Sequence, residues 1–232
     1  MDQARAVRAS VARRLMRPIL ALNWNRASRF DDSRSYWRRR YERGGDSGRG
    51  SYGEYAAGKA RFLNTFVADH GIESVIEFGC GDGNQLSLAD YPRYLGLDVS
   101  EAAVARCKER FSDDGSKEFL LIDSYEGQRA DLSLSLDVIY HLVEDEVFDA
   151  HMRLVFSAAN RFVIVYSTNT DERGMRDKAH VRHRYFTRWI EANATGWELV
   201  GVVPSTATLR PAVDFYVFAR RAAPTDLVSA SG

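Results

Sequence analysis

Seven short apolar runs punctuate this chain, at 74–78, 94–98, 119–123, 132–137, 161–166, 197–203 and 215–220. Short unbroken apolar runs predict strands buried on both faces, the signature of a mostly parallel sheet covered by helices. Between them the apolar spacing widens to three and four. Tyr55, Phe62, Leu63, Phe66 and Val67 stripe a helix from Glu54 to His70, stopped by Gly71 at its C′ position. Ser100 caps a helix over Glu101–Phe111, and Asp113-Asp114-Gly115 turns the chain into the next strand. Further helices are predicted over Asp145–Asn160 and Phe186–Ala194, and a loop holding Pro204 and Pro211 joins the last two strands. Strands alternating with helices define the α/β class.

The start of the chain follows a different pattern. Val7, Val11, Leu15, Ile19 and Leu22 recur among arginines, which predicts an amphipathic basic helix up to Pro18 or slightly beyond. Twelve arginines against four acids give residues 1–43 a charge of +8, and since the whole chain is neutral the remainder carries −8. Such a helix can dock on its own domain, join a homodimer, or touch an anionic membrane surface or polyanion; the pattern leaves these open. The aromatics of Tyr36-Trp37-Arg38-Arg39-Arg40-Tyr41 precede a glycine and serine run from Gly44 to Gly53. The organisation expected is an N-terminal basic segment with an aromatic and glycine stretch over 1–53, a main domain over 54–221, and a flexible tail over 222–232.

Candidate chemistry is concentrated after the first strand, in Glu77-Phe78-Gly79-Cys80-Gly81-Asp82-Gly83-Asn84-Gln85. Glycine at every second position lets the backbone turn sharply and approach a ligand closely. The spacing is G-x-G-x-G, which departs from the G-x-G-x-x-G of dinucleotide folds. Three further runs end in acids, at Asp98, Asp123 and Asp137. With Glu77 these carboxylates would line the carboxyl edge of the sheet, where open α/β folds bind ligands.

E-F-G-C-G-D-G followed by the Asp98 strand resembles the first motifs of class I S-adenosylmethionine (SAM) dependent methyltransferases. The resemblance implies a Rossmann-like seven-stranded sheet of order 3-2-1-4-5-7-6, one strand antiparallel, with helices on both faces. It implies SAM as cofactor and S-adenosylhomocysteine (SAH) as product, held by Glu77, Gly79, Gly81, Gly83, Asn84, Gln85, Asp98, Val99, Asp123, Ser124 and Asp137. Asp98 would bond ribose hydroxyls, Asp123 the adenine amino group, and the Tyr36–Gly53 stretch would fold over the cofactor as a lid. From Tyr36 through Tyr185 the pattern looks like small bacterial methyltransferases of polysaccharide and glycoconjugate pathways, which implies a sugar hydroxyl as acceptor.

Methyl transfer to a hydroxyl needs in-line placement and a base. His141, four residues beyond the fourth strand, is the candidate base, with Asp137 next in line; a histidine there can also simply pack. Tyr140, Tyr166, Asn169 and the cluster His180, Arg182, His183, Arg184 are candidates for binding the acceptor, the arginines by their planar forks. A charged solvated loop is the alternative for that cluster. A divalent ion is the minor reading, because Ser167 and Asn169 stand where an acid pair would be needed.

Other classes recede. After the fourth strand stands Asp137-Val138-Ile139-Tyr140 and no Asn-Pro-Pro-aromatic motif, and the basic charge is confined to one end, so nucleic acid is not the favoured partner. Cys80 and Cys107 have neither disulfide-framework nor metal-ligand spacing, and no run of about 18 apolar residues exists, which together fit a cytoplasmic protein. A small-molecule N- or carboxyl-methyltransferase and a non-catalytic scaffold of the same fold remain as alternatives.

Overall fold

The structure is a computed structural model that describes residues 30–172, 178–205 and 212–221. The chain divides into two units, 1–31 and 32–232, and the description concerns the second. The predicted basic helix and the tail from 222 lie outside the described residues.

Seven strands form one sheet: β1 (Val75–Phe78), β2 (Tyr94–Asp98), β3 (Lys117–Leu121), β4 (Ala130–Leu136), β5 (Ala159–Ser167), β6 (Trp197–Pro204) and β7 (Asp214–Arg220). Their order is β3-β2-β1-β4-β5-β7-β6. The pairs from β3 through β5 are parallel, and β7 runs antiparallel to both β5 and β6. All four residues of β1 are buried, Glu77 among them.

Helices cover both faces. On one, Leu63, Phe66 and Val67 of α2 (Gly53–Asp69) and Val104 and Cys107 of α3 (Glu101–Arg110) pack on Val75, Tyr94, Phe119 and Leu134. On the other, Phe148, Met152 and Val155 of α4 (Asp145–Ser157) and Phe186 and Ile190 of α5 (Phe186–Asn193) pack on Ile76, Phe78, Val163 and Phe218. Alternation along β4 explains its sequence: Leu132, Leu134 and Leu136 face the first layer, and Ser135 on the opposite face bonds His151 of α4 at 2.9 Å.

Three boundaries differ from the sequence reading. β3 ends at Leu121, so Asp123 sits in a 3₁₀ turn over Ile122–Ser124 and not at a strand end. α4 stops at Ser157 and β5 starts at Ala159, because Ala159 pairs with Ala130 and extends the sheet backwards. The stretch after Asp32 is a helix, α1 (Ser33–Glu42), N-capped by the Asp32 side chain accepting from Ser35 N at 2.7 Å.

Candidate active site

The glycine loop leaves β1 at its carboxyl end. Gly79 and Gly81 adopt φ of 97° and 60°. A Cβ on Gly79 would lie 2.5 Å from a Val138 methyl, and one on Gly81 would lie 2.3 Å from Ser47 Oγ. Only glycine fits this left-handed, closely covered backbone. Asp82 latches the covering loop: its Oδ2 accepts from Ser47 N at 2.9 Å and Tyr52 OH at 2.7 Å, and its own N–H donates to Ser47 Oγ at 3.0 Å. Burial alone would raise the Asp82 carboxyl; the donors from Tyr52, Ser47 and Asn84 outweigh it and hold the group below its ordinary range.

A cavity of about 490 Å³ opens beside this loop. Its walls include Glu77, Gly79, Gly81, Gln85, Asp98, Val99, Asp123, Asp137 and His141. Burial pushes Glu77 up to about 7, although it accepts from Tyr94 OH at 2.6 Å. Burial likewise raises Asp98 to about 6, against the N–H groups of Ser100 at 2.9 Å and Gly81 at 3.0 Å. Gln85 donates to Ala56 O at 3.1 Å, and its buried Oε1 has no partner.

Asp137 follows β4 with φ of 59°, in the left-handed region that a non-glycine residue adopts at a cost. Two side chains hold it there: Lys59 of α2 donates to Oδ2 at 2.5 Å and Tyr140 OH donates to Oδ1 at 2.7 Å. His141 Nδ1 lies 3.0 Å from His180 O. A carbonyl only accepts, so Nδ1 carries the hydrogen and Nε2 is left with its lone pair, unbonded among the described residues. Burial lowers His141 to about 4, and the ring is neutral at physiological pH. α1 covers this region. The Trp37 ring meets His141 edge-on at 4.9 Å, Tyr36 stacks on His180 at 4.2 Å, Ser33 Oγ donates to Glu144 at 2.6 Å, and Arg34 pairs with Asp123.

Other residues singled out in the sequence stand elsewhere. Gly83, Asn84 and Ser124 are not on the cavity wall. A Cβ on Gly83 would meet Phe111 and Cys107, so this glycine serves the packing of α3, and Asn84 Nδ2 ties down the covering loop through Ser51 O at 2.7 Å. The residues of the acceptor cluster make contacts within the protein. Arg182 donates to Val143 O at 2.9 Å, and Arg184 to Leu142 O at 2.7 Å and Val143 O at 2.8 Å; both also pair with Asp145. The whole fork of Arg184 and one amino group of Arg182 are engaged by the loop before α4. His183 lies 2.7 Å from Thr168 Oγ1, Asn169 bonds Thr187 at the start of α5, and Tyr166 OH meets Ser205 Oγ at 2.8 Å. These groups build the floor beside the cavity without lining it. Among the described residues no three His, Cys, Asp or Glu side chains converge to hold a metal ion.

Trp37, Tyr41, Ser47 and Ser51, within the stretch expected to cover the cofactor, also line the cavity, as does Lys59, which the sequence reading missed. Lys59 carried one available signal: it stands four residues after Tyr55 and four before Leu63, a charge inside an apolar stripe.

Residues 76–172, rather less than half of the chain, match the family described as a methyltransferase domain. No curated protein sequence matches the chain. Among solved structures, the N-methyltransferase NodS from Bradyrhizobium japonicum WM9 with bound SAH superposes with a TM-score of 0.67 at 16% identity, over 83% of this chain and 100% of that one. Magnesium protoporphyrin IX methyltransferase (ChlM) from Synechocystis PCC 6803 with bound SAM gives 0.59 at 18%, over 82% and 98%. The mitomycin 7-O-methyltransferase MmcR gives 0.56 at 18%, over 72% and 53%. At these identities the likeness is one of fold. The sheet order, the glycine loop and the domain match define a class I methyltransferase fold. With a methyltransferase-domain match over residues 76–172, SAM is the cofactor that this fold implies. The cavity fits that group: Glu77, Asp98 and Gln85 Oε1, which has no partner among the described residues, would complement its ammonium and hydroxyl donors. When bound, SAM supplies a methyl group already activated by its sulfonium.

Proposed function

We propose that this enzyme methylates a hydroxyl oxygen of a saccharide or glycoconjugate, with His141 taking the proton. The observation that carries the reading is the histidine itself. Its tautomer is fixed by the His180 carbonyl, its Nε2 is unpaired, and it lines the cavity beside Asp137. A base of lowered pKa is weaker, yet it is wholly in its basic form at neutral pH, and the activated methyl donor asks only that the hydroxyl proton be taken as the new bond forms. The saccharide reading is supported by the resemblance over Tyr36–Tyr185 and by the presence of Ser51 and the ring of Trp37 on the cavity wall. Polar groups interleaved with an aromatic face suit a ring bearing several hydroxyls.

His141→Ala tests the role. A positioned base is worth about 10² to 10⁴ in rate, so kcat should fall in that range while SAM affinity, measured by calorimetry, stays within about twofold. With burial lowering His141 to about 4, wild-type activity should show no limb from this group between pH about 5.5 and 8. A wild-type kcat in the mutant would favour an amine or carboxylate acceptor, which needs no base here.

A further inference from the structure

Tyr36 and His180 do not line the cavity, but together they hold a residue that does. The Tyr36 ring of α1 stacks on His180 at 4.2 Å with an interplanar angle of 15°, and its hydroxyl lies 3.3 Å from His180 Nε2. The His180 ring in turn lies 5.5 Å from that of His141 at 22°, and the His180 carbonyl accepts from His141 Nδ1 at 3.0 Å. His180 thus touches His141 twice, with its ring and with its backbone. Trp37, the next residue of α1, meets both Tyr36 and His141 edge-on, at 5.5 and 4.9 Å. Beyond His180, Arg182 N donates to Tyr140 O at 2.8 Å and ties this loop to the turn that carries His141.

A neutral imidazole has two tautomers, and only the one with its hydrogen on Nδ1 leaves Nε2 able to take a proton. The partner at Nδ1 decides between them. Here that partner is a loop carbonyl whose own residue is gripped by a ring from the covering helix. We infer that Tyr36 is a positioning residue for His141: acting through the stacked ring and the carbonyl of His180, it fixes His141 in the form that leaves Nε2 free. The helix that covers the cavity thereby sets the tautomer of a side chain on its wall, so His141 is ready to accept a proton only while α1 is in place. The use of this coupling in catalysis rests on His141 being the base; the coupling itself does not.

The test uses the full chain with ¹⁵N-labelled histidine and bound SAH. Two-bond ¹⁵N–¹H correlation spectra show which imidazole nitrogen carries the hydrogen, and His141→Ala assigns the His141 signals among the five histidines. At neutral pH, where burial keeps the ring unprotonated, the wild type should show His141 with its hydrogen on Nδ1. Tyr36→Ala removes the stack and loosens the carbonyl, which should shift the tautomer ratio about fivefold to a hundredfold toward Nε2–H. Tyr36→Phe keeps the stack and loses only the hydroxyl contact, so its His141 signals should lie nearer the wild type. His151, bonded to Ser135 beneath α4, is the internal control and should not move. If it does move, Tyr36→Leu, which fills the space without a ring to stack, takes the place of Tyr36→Ala. Two results overturn the inference: His141 held in the Nδ1–H form when the Tyr36 ring is gone, or a wild type in which the two tautomers already mix. None of these spectra reads methyl transfer. A wild-type kcat in His141→Ala would remove the base assignment and leave their outcome standing.

Discussion

Glu77 and Asp98 are carboxyl groups placed where ionisation is expensive, and the cofactor makes that expense useful. Burial raises them to about 7 and about 6. SAM brings positive charge, which favours the ionised form, so binding expels whatever proton these groups hold. The sign follows: SAM affinity should rise with pH through the window of about 5 to 8 set by these two values and flatten above it. Calorimetry in buffers of different ionisation heat should show proton release near pH 6, and Glu77→Gln should bind more weakly with a shallower pH dependence. A flat affinity profile from pH 5 to 8 in the wild type would show that neither acid faces the cofactor. Both acids were legible in the sequence, because each closes an apolar run at the edge where the sheet binds ligands. Lys59 was not, since a lysine on a helical stripe reads as a solvated tip until Asp137 is brought to it. The surroundings of Arg184 were hidden for the converse reason: nothing in one dimension shows that the carbonyls of Leu142 and Val143 will accept from its fork.

At the scale of elements, the covering layer formed by α1 and the loop 44–52 decides access to the cavity. Apolar periodicity could not show α1, because only Ser33 and Tyr41 are buried in it and its arginines leave no stripe. Its cap, Asp32, was the one local signal. Many of the contacts that hold the layer are polar: Asp82 to Ser47 and Tyr52, Arg106 to Tyr41 O at 2.6 Å and Gly45 O at 2.5 Å, Ser33 to Glu144. Polar contacts at a surface open at lower cost than a packed core, which suits a lid that must admit and release ligand. We propose that role for residues 36–53. Amide exchange across 33–52 should slow when SAH is added. Asp82→Ala, which leaves Ser47 N and Tyr52 OH without their acceptor, should exchange faster in 44–52 while the strands of the core are unaffected. Equal exchange with and without SAH in the wild type would mean a permanent wall.

The whole molecule was more legible than its parts, because burial leaves a strong trace of each strand in the sequence, and the resemblance implied the order in which they pair. Seven apolar runs gave seven strands, and unbroken runs such as Val75-Ile76 and Val163-Ile164-Val165 gave the doubly covered centre. What the sequence withheld is the union of distant segments: α1 meeting His141, and α2 meeting Asp137, across separations of roughly 80 to 100 residues. The site is made at those junctions, and with it the choice of acceptor. The measurement that bears most directly on the central claim is therefore the fate of the methyl group. Protein incubated with SAM carrying a ¹³C-labelled methyl and a panel of neutral and acidic saccharides, with simple amines and carboxylic acids alongside, should release SAH with a saccharide and yield a product whose labelled carbon has the shift of an O-methyl ether. Label found on nitrogen or in a methyl ester, or SAM bound without turnover on any saccharide of the panel, would contradict it.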